Sequence, residues 1–315
     1  MFKKMLTLIS LLAVVLLTGC AVEPLALKHY GANEHFSNKQ LEQGTFSTKE
    51  ECTKEPNSLW VETAKGNDCI KYYPSSNVGA TDSVIIFMSG DYLSGTPGHQ
   101  YAEGVYSTNT PAKLLIDSEK RAKKNGVPYI NLARPGTLGS SGIHNNRRRQ
   151  IETLEMNEAI TQLKAKYHFT KITIVGQSGG GGLVGALVAE RSDITCAIAA
   201  SGVLSVKMRA NQIGGEPVGI PFSEMWDPVE HIASAKPMTG FRMFVLSSRW
   251  DSTVPFVTQT HFAEVAKAAG LNVTQIQMQG NGSTQHNLKG KGVKVAAECS
   301  HGLSTEEIIT RNQEK

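Results

Sequence analysis

The sequence predicts an α/β fold: a mostly parallel sheet with helices on both faces and a small cap-like insertion. Three observations carry that expectation. Short apolar, β-branched runs recur along the chain, as strands buried on both faces require. Amphipathic or small-residue helical stretches alternate with those runs, which makes successive strands parallel. Lys171 to Glu190 reads as a strand, a sharp turn and a helix in one unbroken unit. The 315 residues, 40% hydrophobic and with 30 glycines, suit one globular domain with a large core.

Residues 1–19 read as a signal peptide, 20–82 as a tether and N-terminal arm, and 83–315 as the α/β domain. The arm is polar and pattern-poor, with short β-like pieces between Trp60 and Tyr73. Ser83 to Met88 is the first buried strand and runs straight into Ser89-Gly90-Asp91-Tyr92. Pro111 to Asn125 is an amphipathic helix, capped by Thr110 and ended at Gly126. Val127 to Ala133 is a strand. A helix follows from about Arg147 to Tyr167, with Ile151, Leu154, Ile160, Leu163 and Tyr167 near helical spacing. Ile172 to Val175 and Ile194 to Ser201 are strands either side of a helix from Gly180 to Arg191. The stretch at about 203–240 is rich in Gly, Pro and Met, lacks periodicity and exceeds an ordinary connection. It reads as the cap-like insertion, ending in a short helix near Pro228 to Ala235. Arg242 to Ser247 is a strand, Pro255 to Ala269 a helix and Asn272 to Met278 a strand. Ser304-Thr305-Glu306-Glu307 is a capping-box start to a final helix.

The chemistry gathers around Gly176-Gln177-Ser178-Gly179-Gly180. A sharp turn between strand and helix forces Ser178 into a strained backbone that only flanking glycines leave room for. It also sets the hydroxyl at a helix N-terminus, where free N–H groups and the dipole favour a developing oxyanion. A serine nucleophile needs a base, and the base needs an acid to orient it. Asp251 follows the strand ending at Ser247, and His286 follows Gly280 beyond the next strand. Both fall at carboxyl ends of strands, where a parallel sheet collects its site. Asp227 and His301 are rivals, but Asp227 lies within the insertion and a helix-like stretch separates His301 from its strand. The oxyanion donors expected are the backbone N–H groups of Gly179 and Asp91, with Tyr92 as second choice for the latter. Tyr92, Phe222 and Trp226 are candidate substrate contacts. The apolar residues of the insertion either wall an acyl pocket or pack down as a satellite core.

Taken together, G-Q-S-G-G-G, D-S-T-V-P at Asp251 and H-N at His286 resemble the serine α/β-hydrolases, over roughly Ser83 to Asn287. Ser89-Gly90-Asp91 stands where members of that family often carry His-Gly-x, so the backbone donor is kept and the histidine side chain is not. The resemblance implies hydrolysis of a small-molecule ester or amide through an acyl-enzyme, without a cofactor. A carboxylic-ester hydrolase is the leading expectation. A peptidase or amidase of the same fold, and an inert binding lipoprotein, are the alternatives.

The N-terminus adds a location. Lys3 and Lys4 precede an apolar run, Met5 to Leu17, too short to span a bilayer comfortably. It ends in Leu17-Thr18-Gly19-Cys20, which resembles the lipobox of bacterial lipoproteins. That resemblance implies cleavage before Cys20 and a lipid anchor on its sulfur and nitrogen. With Ala21 next, it implies the outer membrane, periplasmic side, if the source is Gram-negative. Removing residues 1–19 takes two lysines from the 32 basic residues, leaving 30 against 28 acidic, so nucleic acid is not an expected partner. The one basic run, Arg147-Arg148-Arg149, reads as a solvated helix face or, less simply, as a contact for carboxylate or phosphate. Beyond Cys20 four cysteines remain. Cys52 and Cys69 lie close in a turn-rich segment and are paired here; Cys196 with Cys299 is the pairing left over. No C-x-x-C or H-E-x-x-H spacing appears, so no metal site is expected.

Overall fold

The computed structural model describes residues 23–93, 106–213 and 220–313. The signal peptide, Cys20 and the 94–99 loop lie outside the described residues. The chain opens with β1 (Leu25–Ala26), α1 (Asn38–Gln43), β2 (Thr45–Phe46) and α2 (Lys49–Lys54). Next come β3 (Ser58–Glu62), β4 (Asn67–Pro74), β5 (Ser83–Met88), α3 (Pro111–Asn125), β6 (Tyr129–Leu132) and α4 (Gln150–Tyr167). The strand–turn–helix unit around Ser178, hereafter the elbow, is β7 (Lys171–Gln177) and α5 (Gly179–Glu190), followed by β8 (Ile194–Ala200), α6 (Val206–Ile213) and α7 (Pro228–His231). The chain closes with β9 (Arg242–Ser247), α8 (Phe256–Ala268), β10 (Val273–Gln277), α9 (Lys289–Ser300) and α10 (Thr305–Asn312).

The main sheet has eight strands in the order β10-β9-β8-β7-β5-β6-β4-β3. From β10 to β6 every neighbouring pair is parallel; only β4 runs against the rest, antiparallel to both β6 and β3. The strand residues explain why both faces are covered. Ile85, Val175 and Ile198 point to one face with Val293 and Ile308, while Ile86, Ile174 and Val245 point to the other with Met156, Leu183 and Phe262. Helix α5 is buried along nearly its whole length, which its string of Gly, Ala, Leu and Val makes tolerable.

Two sequence expectations change here. The second half of the 20–82 arm belongs to the sheet, since Tyr72 and Tyr73 pair with Leu132 and Asn131. Its strands looked like fragments because a short turn, Thr63 to Gly66, splits the antiparallel pair. The basic run is no solvated helix face: α4 begins at Gln150, and Arg147 in the turn before it is 2% exposed. In the described parts of the insertion, the satellite-core alternative has a physical basis. Val203, Val206, Ile220, Met225 and Val254 form a small satellite core, with Phe222 packed against it. The helix α9 was passed over as merely helix-like. Its Lys-Gly-Lys-Gly start has no capping side chain, but Gly292 lets it close on the sheet, where a Cβ would stand 3.0 Å from Ala200 Cβ.

Two disulfides staple the fold. Cys52–Cys69 fixes α2 to β4, and Cys196–Cys299 fixes β8 to α9, across 17 and 103 residues of chain. Both pairings considered from the sequence form.

Candidate active site

Strand β7 ends at Gln177, and Ser178 then adopts φ 56° and ψ −119° before α5 begins. A non-glycine residue held there stores ~1–3 kcal/mol of backbone strain, which its surroundings must over-determine. They do. Ser178 N–H donates to Ala200 O at 2.9 Å, and Ser178 O accepts from Gly182 N at 3.0 Å and Val203 N at 3.1 Å. The flanking glycines are steric necessities. A Cβ on Gly176 would collide with the Gly180 backbone, and one on Gly180 with Met88 O. Gly90, at the end of β5, lies against the serine: a Cβ there would stand 3.1 Å from Ser178 Cβ and 3.8 Å from its Oγ.

Asp251 and His286 come together from two loops. His286 Nδ1 meets Asp251 Oδ2 at 2.8 Å, while Asp251 Oδ1 accepts the N–H groups of Thr253 at 2.8 Å and Val254 at 2.9 Å. The Asp251 side chain is fully buried and that of His286 is 17% exposed. A carboxylate fixed by two backbone donors cannot swing away, so it sets both the tautomer and the plane of the imidazole. The two loops are themselves joined where Ser252 N–H donates to Thr284 O at 3.1 Å.

The elbow carries its own link to the histidine. Gln177 Nε2 donates to His286 O at 3.0 Å, and Gln177 Oε1 accepts Leu288 N–H at 3.0 Å. The residue before Ser178 thereby clamps the backbone of the His286 loop. Sequence reading gave Gln177 no role beyond filling the motif. The available signal was an amide side chain at the last position of the strand, directly before Ser178.

The opposite side of Ser178 is dominated by charge. The Asp91 carboxylate contacts Arg134 Nη1 at 2.8 Å, Arg148 Nη2, and Arg147 Nε at 3.4 Å. Burial pushes the Asp91 carboxyl up, but the Arg148, Arg134 and Arg147 guanidiniums outweigh it and hold the group well below the usual carboxylate range. Arg134 also pairs with Glu152 at 2.7 Å. His144 is kept neutral by burial and by Arg147 and Arg134, and its Nε2 accepts Tyr92 N–H at 3.3 Å. A Cβ on Gly179 would run into the Asp91 carboxylate, so the glycine after Ser178 makes room for this cluster. The Gly90–Asp91 backbone and the first N–H groups of α5 thus border Ser178 where an oxyanion would form. The Asp91 side chain has a part that the sequence did not suggest.

The remaining candidates separate. Asp227 accepts Val206 N–H at 2.8 Å and Lys207 N–H at 2.9 Å, and so serves the start of α6. His301 Nε2 lies 2.7 Å from Asn125 O at the end of α3. Tyr92 packs edge-on to Tyr106, with ring centroids 5.0 Å apart. Phe222 belongs to the satellite core, whereas Trp226 lines a cavity with Gly179 and Arg148. The two aromatics therefore separate, with Phe222 packed on the satellite core and Trp226 bordering this cavity. Among the described residues, no group of three or more His, Cys, Asp or Glu side chains converges as a metal site would need.

No family model matches the chain, and no curated protein does. Solved structures do. An esterase of Pyrococcus furiosus superposes with a TM-score of 0.55 at 16% identity, over 92% of this chain and 99% of its own. Est1E of Butyrivibrio proteoclasticus, solved with ferulic acid bound, gives 0.52 at 13% identity, over 81% and 98%. A puromycin-hydrolyzing peptidase of Mycobacterium tuberculosis gives 0.50 at 14% identity, over 77% of this chain and 38% of its own. At such identities the likeness speaks for architecture, and with the strand order and elbow above it shows that this chain has the α/β-hydrolase fold.

Proposed function

We propose that the protein is a serine hydrolase that cleaves carboxylic esters through an acyl-enzyme. The observation that carries this reading is the His286–Asp251 pair, fixed at 2.8 Å on a loop that Gln177 of the elbow itself clamps. His286 takes the Ser178 proton as Oγ bonds to the carbonyl carbon, and Asp251 steadies the imidazolium. The N–H of Gly179 and one from the Gly90–Asp91 stretch bear the oxyanion. Collapse breaks the ester C–O bond, His286 returns the proton to the leaving alcohol, and water repeats the cycle on the acyl-serine.

Treating the mature protein with a fluorophosphonate and mapping the adduct by mass spectrometry tests this. The label is expected on Ser178, and Ser178→Ala should leave only the ~10³–10⁴-fold assistance of binding and oxyanion donors over the uncatalysed rate. Folded protein that stays unlabelled at Ser178 would sink the assignment. Ester chemistry is favoured over amide chemistry because the esterase matches along 99% of its length and the peptidase along 38%. Strong turnover of peptide anilides with inert p-nitrophenyl esters would reverse that ranking.

We also propose that the chain is exported and anchored through lipid on Cys20. Two disulfides support an oxidising compartment. Labelled palmitate should enter the wild-type chain and be lost in Cys20→Ser; equal labelling of both would remove the anchor.

A further inference from the structure

A small cavity of about 20 Å³ opens beside the elbow, lined by Arg148, Gly179, Gly182, Val203, Val206 and Trp226 among others. It has room for one small polar group. Its lining includes the carboxylate of Glu152, but both oxygens are taken: Oε1 accepts from Arg134 Nε at 2.7 Å and Oε2 from Arg148 N–H at 2.9 Å. The Nε and Nη1 atoms of Arg148 and Nε1 of Trp226 are buried and have no hydrogen-bond partner among the described residues. A buried donor left unpaired costs ~1–3 kcal/mol, so three such atoms around one space mark a place for an acceptor.

The donors are also deliberately held. Arg148 has φ +65°, a left-handed backbone that its side chain disfavours, and that side chain is 9% exposed. Trp226 N–H donates to Arg148 O at 2.7 Å, which locks the two lining residues together. The indole is further braced by the His231 ring, stacked at 3.5 Å between centroids. Charge then selects the occupant. Among the described residues, Arg134, Arg147 and Arg148 form ion pairs with Asp91 and Glu152 alone, an excess of one cation. Arg209 adds another nearby; burial and then Arg148 press its guanidinium down to about 10.

We propose that this cavity is an anion subsite, in which Arg148 and Trp226 hold a carboxylate carried by the substrate close to its scissile ester. The inference rests on the serine-hydrolase reading and narrows it to esters of acids or alcohols that bear a second, free carboxylate.

Two matched substrate pairs test it. On the acyl side, mono-p-nitrophenyl glutarate is compared with p-nitrophenyl valerate; on the alcohol side, 4-acetoxybenzoate with methyl 4-acetoxybenzoate. In one pair the wild-type enzyme should favour the carboxylate member by roughly 10–100-fold in kcat/KM, the scale of a charge-assisted bond. The pair that responds says which side of the ester occupies the cavity. Arg148→Met should bring the ratio close to one, and Trp226→Phe should reduce it several-fold. If Arg148→Met fails to fold, Trp226→Phe and Arg148→Lys carry the test, the latter keeping the charge but losing the planar fork. Turnover of neutral esters with no carboxylate preference in either pair overturns the subsite and leaves the hydrolase reading intact. A preference that survives all three substitutions overturns it too. No turnover of any ester, with Ser178 unlabelled by fluorophosphonate, would instead overturn the reading beneath it.

Discussion

Asp251 and Asp91 both sit largely enclosed beside the Ser178 elbow, yet one meets an imidazole and the other three guanidiniums. The difference decides what each can do. An imidazole gains and loses protons near neutral pH, so a carboxylate beside it can favour the charged form at the moment a proton moves. A guanidinium does not let its proton go, and a carboxylate among three of them is a fixed charge. Asp251 is suited to machinery. Asp91 is suited to holding Arg134, Arg147 and Arg148 in place on the oxyanion side, and it leaves that side with surplus positive potential.

The largest expected effect comes from Asp251→Asn. The Asn oxygen can still accept from Thr253 and Val254, so the loop should stay folded. Its amide presents a donor to His286 Nδ1, fixes the wrong tautomer, and should lower kcat by ~10⁴-fold with little change in Tm. Asp91→Asn should do the reverse. Three buried cations lose their shared counter-charge, so folding stability should fall by ~3–5 kcal/mol in urea titration. Turnover per folded molecule should suffer less than in Asp251→Asn. A stable but inactive Asp91→Asn would break the comparison, because it would place that carboxylate in the reaction.

Gln177→Leu is the intermediate case. It removes both bonds that clamp the His286 loop, worth ~1–3 kcal/mol together. That loss should appear as a roughly ten- to hundredfold fall in kcat, with slower fluorophosphonate labelling and a small change in KM. A change in KM alone would show that Gln177 touches substrate rather than positioning the base.

What the sequence could and could not reveal follows the same division. The elbow was legible because sterics write part of it locally: Gly176 is required by the Gly180 backbone, within a few residues of Ser178, while Gly180 answers to Met88 O at the end of β5. Asp251 and His286 were legible because parallel strands place their following loops at one edge. The Asp91 cluster was not, since its partners come from 43 and 57 residues away and no local spacing records them. The Arg147-Arg148-Arg149 run looked like a solvated face because Asp91, the carboxylate that Arg147 and Arg148 contact, lies more than fifty residues earlier. The β3–β4 pair was hidden for a similar reason, because its place at the sheet edge depends on β6, far along the chain.

A third buried carboxylate sharpens the contrast, since it has neither imidazole nor guanidinium to pair with. Glu155 of α4 faces Asp68 of β4, whose Oδ1 accepts Ser141 Oγ–H at 2.6 Å. Burial first, and then the Asp68 charge, push the Glu155 carboxyl up to about 9. The pair therefore keeps a shared proton at neutral pH. The folded value lies above the ordinary 4.5, so between those two values the folded chain binds a proton that the unfolded chain has released. Stability from this group should be fully present at low pH and decline as pH rises toward 9. The slope is at most about 1.4 kcal/mol per pH unit, one proton's worth. Glu155→Gln mimics the protonated form and should flatten that decline while leaving turnover unchanged, the smallest effect on catalysis of the four. Urea titrations of both proteins at pH 5, about 7 and about 9 would check it. Parallel curves for wild type and variant would mean that Glu155 ionises in place, and that the fold tolerates a buried carboxylate without the partners that Asp251 and Asp91 are given.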